Sequence, residues 1–83
     1  MLFYIVYEVM AMYFKRLEEL RKDSDLTQQQ VADHLHLKRE VYRRYEKGIH
    51  EPPVWVIISL AELYNVTTDY LLDRTDERII PGR

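Results

Sequence analysis

Residues 26–48, with the sequence LTQQQVADHLHLKREVYRRYEKG, decide the fold of this chain. Thr27 followed three residues later by Gln30 forms the pattern of a capping box, so a helix is predicted over Leu26–Leu35. The basic segment that follows predicts a second helix over Lys38–Lys47, with a glycine directly after it at a position suited to a left-handed helix end. The stretch therefore predicts two helices joined by a short turn.

Apolar residues at helical spacing predict further helices on both sides of this pair. One is predicted over Tyr13–Lys22, another over Val54–Tyr64, and a short one from Thr67 or Thr68 to Leu72. No segment downstream of residue 12 requires a strand. The predicted fold class is therefore all-α, with a five-helix domain over residues 12–74 and a frayed tail over residues 75–83.

Residues 1–11 are strongly apolar and form an extension to this domain. Their composition suits a strand, while their spacing also fits a helix that continues the first one, and periodicity alone leaves both open. The segment is too short to span a membrane and is interrupted by Glu8. It also lacks the basic start and small-residue cleavage site of a secretory signal. A protein without membrane association is expected.

Composition restricts the function classes further. The chain has 83 residues, 47% of them apolar, which suits one small globular domain. Cysteine is absent, which excludes disulfides and thiolate zinc sites and fits a cytoplasmic protein. The formal net charge is −2, yet residues 34–50 hold five Lys/Arg against two acids. A locally basic face is therefore expected on a weakly acidic molecule.

The whole pattern resembles the phage repressor and Cro family of helix-turn-helix proteins, also called the XRE family. The resemblance spans Phe14 to Asp73. The matching residues are Leu26-Thr27-Gln28, Val31-Ala32, Leu35, Leu37, Arg39, Tyr42, Arg44-Tyr45-Glu46, Gly48, Glu51-Pro52, Leu60-Ala61, Val66 and Asp69 to Leu72. It implies a lambda-repressor-like domain that binds double-stranded DNA sequence-specifically and regulates transcription. It further implies a repressor that acts as a homodimer on a palindromic operator.

The resemblance assigns roles to residues of the helix-turn-helix. The helix that follows the turn would read base edges, with Arg39 paired to guanine, Glu40 to cytosine N4 and Val41 against a thymine methyl group. Arg44 is the fourth base-reading candidate. The phosphate-binding candidates are Thr27, Gln28, Lys38, Arg43 and Lys47. A structural ion pair is implied between Arg21 and Glu46.

Three residues depart from the family pattern. His36 occupies the turn position where the family usually has glycine, and a left-handed histidine there costs about 1 kcal/mol or more. Lys38 stands at the usual Ser/Thr cap of the second helix, where it cannot accept backbone N–H bonds. Pro53 replaces the customary cap of the fourth helix. A less stable recognition helix is expected.

Two apolar segments are candidates for an interface. Trp55, Val56 and Ile58 are expected on the outer face of the fourth helix, because Ile57, Leu60 and Ala61 already fill its inner face. The second candidate is the N-terminal extension, through Leu2, Phe3, Ile5, Val6 and Val9. One hypothesis is that one segment covers the other, across a dimer or within one subunit. The alternative is an ordinary patch over the core of one subunit, and the sequence leaves both open.

Other function classes find less support. A protein-interaction, adaptor or antitoxin module with weak DNA binding is the alternative, favoured by the acidic balance and the apolar surface. An enzyme is not expected, because no nucleophile–base pair, phosphate loop or paired acids are present. No cofactor, metal or small-molecule substrate is predicted, since His34 and His36 would not share a helical face.

Overall fold

The computed structural model describes residues 13–79 as five helices. They are α1 (Lys15–Asp23), α2 (Gln28–His34), α3 (Arg39–Glu46), α4 (Val54–Tyr64) and α5 (Thr68–Leu71). The part of the chain so described contains no strand, and the all-α five-helix prediction is confirmed. The apolar extension over residues 1–11, predicted as strand or helix, lies outside the described residues.

All five helices contribute to one hydrophobic core. α2 and α3 pack against each other, α1 packs on both α3 and α5, and α4 packs on α5. The core contains Leu17, Leu20, Val31, Ala32, Leu35, Tyr42, Val56, Ile57, Leu60, Ala61 and Leu71. Burial of this apolar surface is the main source of stability, because none of these helices is long enough to be stable in isolation.

Specific residues begin and end the helices. The capping box of α2 is present, with Thr27 accepting from the Gln30 backbone N–H and Gln30 accepting from the Thr27 backbone N–H. α4 ends at Asn65, which adopts the left-handed conformation at φ 55°. Gly48 follows α3 at φ 73°, where an added Cβ would lie only 3.1 Å from Tyr13 Cβ. This close approach, as well as the left-handed backbone, favours glycine.

Two apolar residues lie elsewhere than expected. The first helix was predicted to start at Tyr13, but α1 begins at Lys15 and Tyr13 is 48% exposed. Val56 was predicted on the outer face of α4, but it is fully buried. The prediction was wrong because α4 buries two adjacent rows of side chains rather than one narrow stripe. Residues 56 and 60 form one row, and residues 57 and 61 form the other.

The segment after α5 contacts α1 and the start of α5. Arg16 is 8% exposed and donates hydrogen bonds to the carbonyl oxygens of Tyr70 and Thr75 and to Asp76 Oδ1. Its guanidinium also lies 3.9 Å from the centre of the Tyr70 ring. The Thr67 backbone N–H donates to the Arg78 carbonyl oxygen at 2.9 Å. The tail therefore stays in contact with the domain as far as Arg78, and residues 80–83 lie outside the described residues.

None of the helices within residues 13–79 has the length and apolar character needed to cross a membrane.

Candidate nucleic-acid interface

The turn between α2 and α3 sets the direction in which α3 leaves. The His36 N–H donates to the Asp33 carbonyl oxygen at 3.1 Å, and the Leu37 N–H donates to the Ala32 carbonyl oxygen at 2.8 Å. His36 has φ 58°, so it does adopt the left-handed conformation for which glycine is better suited. Leu35 is buried on one side of the turn. These contacts make the turn a fixed connection between the two helices.

A buried ion pair fastens α3 to α1 and α2. Arg21 Nε lies 2.6 Å from Glu46 Oε2, and the Glu46 side chain is fully buried. Gln28 Nε2 at the start of α2 donates to Glu46 Oε1 at 3.1 Å. Arg21 also donates to the Leu26 carbonyl oxygen at 2.9 Å. Three helices therefore meet at one carboxylate, which determines how α3 is presented.

Burial opposes ionisation of Glu46, but hydrogen bonds from Arg21 and Gln28 outweigh it and lower the pKa of this carboxyl group. Glu46 is therefore an anion at neutral pH, and its charge is matched by Arg21. Burial, followed by the nearby Glu46 charge, raises the pKa of Tyr64 to about 12. Tyr42 is also buried beside Glu46, and its pKa is raised. Both tyrosines are accordingly neutral.

The exposed face of α3 and its cap carries the basic residues. Lys38 and Arg39 are exposed, Arg44 is 41% exposed at its side chain, and Lys47 48%. Val41 is half-buried. Since Glu46 is buried and paired with Arg21, the exposed acid between residues 38 and 47 is Glu40. This face is therefore more basic than the count of charges in the segment indicates.

Within this face, Glu40 is held by two arginines. Arg43 donates to both carboxylate oxygens, at 2.9 Å from Nε and 2.8 Å from Nη2. Arg44 Nε lies 3.4 Å from Glu40 Oε2. The hydrogen bonds from Arg43, followed by the charges of Arg43, Arg44 and Arg39, lower the pKa of Glu40 to about 2. The carboxylate is thus ionised and already accepts hydrogen bonds before any ligand binds.

The phosphate-binding candidates fall into two groups. In the described structure Thr27 caps α2 through its hydroxyl oxygen, and Gln28 is bound to Glu46. Lys47 Nζ lies 3.7 Å from Glu18 Oε2 on α1. Lys38, by contrast, is exposed at the start of α3 and caps it without a side-chain hydrogen bond. Lys38 is therefore the readiest of these groups to meet an anion.

The candidate interface on α4 is exposed and apolar. Trp55 is 49% exposed and Ile58 47%. Val54, at 74%, and Ile79, at 56%, are exposed as well. Ile58, Ile79 and Val66 line a groove of about 610 Å³ between α4 and the tail. The other candidates, Leu2, Phe3, Ile5, Val6 and Val9, lie outside the described residues.

Sequence reasoning missed three contacts, and only one had a visible signal. Glu40 and Arg43 are three residues apart on a predicted helix, which is the spacing of a helical ion pair. The hydrogen bond from Gln28 to Glu46 and the several contacts of Arg16 join distant parts of the chain, and no local pattern indicates them. Within residues 13–79, no group of three or more His, Cys, Asp or Glu side chains is arranged to hold a metal ion.

Comparison with known proteins identifies the family of this chain. The model of the helix-turn-helix family matches residues 17–71. An uncharacterized HTH-type transcriptional regulator of Bacillus subtilis, YobD, is 39% identical over 66 residues, which cover 80% of this chain and 59% of YobD. This chain belongs to the helix-turn-helix family, in its XRE-type branch.

Two further relatives carry functional names. The cryptic phage CTXphi transcriptional repressor RstR of Vibrio cholerae is 29% identical over 82% of this chain and 61% of its own length. The HTH-type transcriptional activator BcrR of Enterococcus faecalis is 31% identical over 70% of this chain and 28% of its own length. The chain thus spans less than two thirds of each of these relatives. No solved structure matches it significantly.

Proposed function

We propose that this chain is a transcriptional regulator that binds double-stranded DNA sequence-specifically, with α3 in the major groove. The observation that carries the proposal is the exposed basic face of α3, on a helix that the Arg21–Glu46 pair holds in place. A rigid helix that presents arginines outward is suited to base recognition, because bidentate contacts require defined geometry. The family membership supports the same conclusion.

Roles follow from exposure on this face. Arg39, at the start of α3, and Arg44, five residues further on, would donate to guanine O6 and N7. Val41 is half-buried, so it offers at most a small apolar contact to a thymine methyl group. Lys38, Arg43 and Lys47 would contact phosphates, and the α2 start at Thr27 and Gln28 would hold a further phosphate. Glu40 is the remaining base-reading candidate.

The proposal is tested by titrating the protein into random-sequence duplex DNA at low and moderate salt. We expect binding that weakens steeply with salt, because each phosphate contact releases condensed counterions. An Arg39→Ala, Arg44→Ala double variant should bind more weakly. A control with Arg74→Ala and Arg78→Ala removes the same charge outside the helix-turn-helix and should bind almost as the parent does. Absence of binding at low salt, or equal losses in the two double variants, would overturn the proposal.

We further propose a homodimer that binds a palindromic operator with half-sites about one helical turn apart. The exposed apolar side chains of Trp55 and Ile58 support this part of the proposal, because a second copy of the chain would remove them from water. A two-fold dimer would present two copies of α3 to the same side of the duplex. Selection of operators from a random pool should return inverted repeats, whereas single half-sites would contradict the dimer.

Repression is the proposed outcome of operator binding. The likeness to the phage repressor RstR supports repression, whereas the likeness to the activator BcrR supports activation. A small domain bound over a promoter can exclude other proteins without any contact surface for them. A reporter driven by a promoter that contains the selected operator should lose expression when the protein is produced. Increased expression would overturn repression and leave DNA binding intact.

A protein-interaction or antitoxin module is the second candidate, favoured by the exposed apolar face of α4. This reading predicts DNA binding that is weak and insensitive to Arg39→Ala, Arg44→Ala. The duplex titration therefore separates the two candidates.

A further inference from the structure

The side chain of Glu40 has an unusual position for a residue on a DNA-facing surface. It is an exposed anion among the cations of α3, and a phosphate would repel it. Arg43 meets both oxygens of its carboxylate at 2.9 and 2.8 Å, and Arg44 approaches one of them to 3.4 Å. Glu40 therefore occupies two N–H donors of Arg43, a residue that the proposed function assigns to phosphate binding.

A competition follows from this geometry. The Arg43 Nε and Nη2 donors that meet Glu40 form one fork of the guanidinium, and a phosphate that binds through this fork must displace Glu40 from it. If Arg43 leaves for a phosphate, the Glu40 carboxylate loses two charge-assisted hydrogen bonds while it approaches a polyanion. The exchange is favourable only where another donor replaces Arg43 at Glu40.

Every base pair presents one N–H donor in the major groove, but the position of that donor across the groove depends on the base pair and its orientation. Cytosine N4 and adenine N6 present N–H groups, whereas guanine O6 and N7 and thymine O4 present only acceptors. A carboxylate that faces an acceptor gains no hydrogen bond and is repelled. The identity of one base therefore determines whether Glu40 can release Arg43.

We propose that Glu40 is a specificity-determining residue that couples base recognition to phosphate binding, because it holds Arg43 until a base donor takes its place. The inference rests on the proposed function of α3 in DNA binding. It assigns Glu40 a second effect beside base reading, which is to weaken binding to sequences that place an acceptor rather than a base donor opposite Glu40. Discrimination would then arise from suppressed nonspecific binding as well as from contacts at the operator.

The test compares Glu40→Gln with the parent protein on random duplex DNA and on an operator selected with the parent. Glutamine keeps the size of the side chain but releases Arg43 from the ion pair. We expect Glu40→Gln to bind random duplex more tightly than the parent. The slope of log affinity against log salt concentration should be steeper by about 0.9 for the variant, so the ratio of the two affinities changes roughly eightfold per decade of salt concentration. The preference for the operator over random duplex should fall.

Two matched variants separate this coupling from a simple change of net charge. Glu19→Gln removes one exposed acid on α1 for which the described residues supply no ion pair, and it should leave the preference for the operator unchanged. In an Arg43→Gln background, Glu40→Gln should no longer strengthen binding to random duplex beyond the effect of Glu19→Gln. Circular dichroism would establish that each variant is folded.

The outcomes are distinct. If the parent binds DNA but Glu40→Gln behaves as Glu19→Gln does, the coupling is refuted and the proposed function stands. A full Glu40→Gln effect in the Arg43→Gln background would also refute it, since Glu40 would then act only through its own charge. If neither the parent nor any variant binds duplex at low salt, the proposed function fails and this inference fails with it.

Discussion

At the scale of single residues, Glu46 has the largest structural consequence. Its buried carboxylate accepts hydrogen bonds from Arg21 and Gln28 and so joins three helices. Removing one member of a buried ion pair leaves the other charge uncompensated, which typically costs about 3–5 kcal/mol. We expect Glu46→Gln to lower the free energy of unfolding by about 3 kcal/mol, near the lower end of that range.

Urea unfolding measures this loss. Glu18→Gln is the matched control, because Glu18 also lies within 3.7 Å of Arg21 but keeps 25% of its side chain exposed. A partly exposed pair is screened by water and contributes about 1 kcal/mol or less, so the control should lower stability less than Glu46→Gln does. Equal effects of the two substitutions would mean that the buried pair does not hold the helices together.

The pH dependence of stability follows from the same carboxylate. The folded-state pKa of Glu46 lies below its ordinary value of 4.5, so the anion binds protons less readily in the folded state than in the unfolded state. Its stabilising contribution is therefore complete above the unfolded-state pKa and is lost as the pH falls through the folded-state pKa. We expect stability to decline in acid below about pH 4.5.

Urea midpoints measured from pH 7 down to pH 3 test this dependence. The part of the acid decline that belongs to Glu46 should be missing in Glu46→Gln, so the difference between the parent and the variant should shrink as the pH falls. A constant difference over that range would assign the acid sensitivity to other carboxylates.

At the scale of elements, the predicted helices agree with the observed ones because each had a local signal. The Thr27–Gln30 capping box and the glycine at position 48 mark helix ends through contacts within a few residues. The burial of Val56 had no such signal, since the width of a buried arc depends on what packs against the helix. The Arg21–Glu46 pair was expected only through family resemblance, because its partners lie 25 residues apart.

The start of α3 offers a prediction at this scale. Lys38 caps the helix without a side-chain hydrogen bond, and its charge is unfavourable beside the positive end of the helix dipole. Lys38→Ser should therefore stabilise the domain by about 1 kcal/mol. The same substitution should weaken binding to random duplex and make the salt slope shallower by about 0.9 if Lys38 contacts a phosphate.

Lys38→Gln is the matched control, because it removes the charge but provides a poorer cap. It should reproduce the DNA-binding loss with a smaller gain in thermal stability. A loss of stability in Lys38→Ser would show that the lysine stem contributes packing that the serine cannot replace. An unchanged salt slope in both variants would remove Lys38 from the phosphate contacts.

At the scale of the whole molecule, the described fold is closed by contacts that sequence patterns do not show. Arg16 reaches the Tyr70 carbonyl oxygen and the Asp76 carboxylate across 54 and 60 residues of sequence. A single basic residue on a predicted helix is normally solvated, so its burial becomes evident only once the tail is placed. The tail that Arg16 holds borders the groove beside Ile58 and Ile79. Through this tail, α1 is connected to the apolar face of α4.

That apolar face carries the last prediction, which concerns the assembly. Trp55 is the single tryptophan of the chain and is half exposed, so its fluorescence reports directly on the proposed dimer surface. We expect sedimentation to give a concentration-dependent dimer, with tryptophan emission shifting to shorter wavelength as the dimer forms. Ile58→Ser should shift the equilibrium toward monomer without unfolding the domain, because Ile58 is 47% exposed.

A chain that starts at Met12 separates the two candidate interfaces. If the apolar extension covers α4 within one subunit, its removal should shift the tryptophan emission to longer wavelength and promote association through the newly exposed face. If the extension itself joins the subunits, the shortened chain should become monomeric while Ile58→Ser in the full chain has little effect. A full-length protein that stays monomeric at all concentrations, with unaltered tryptophan emission, would contradict the dimer and direct attention to a different protein as the partner of the α4 face.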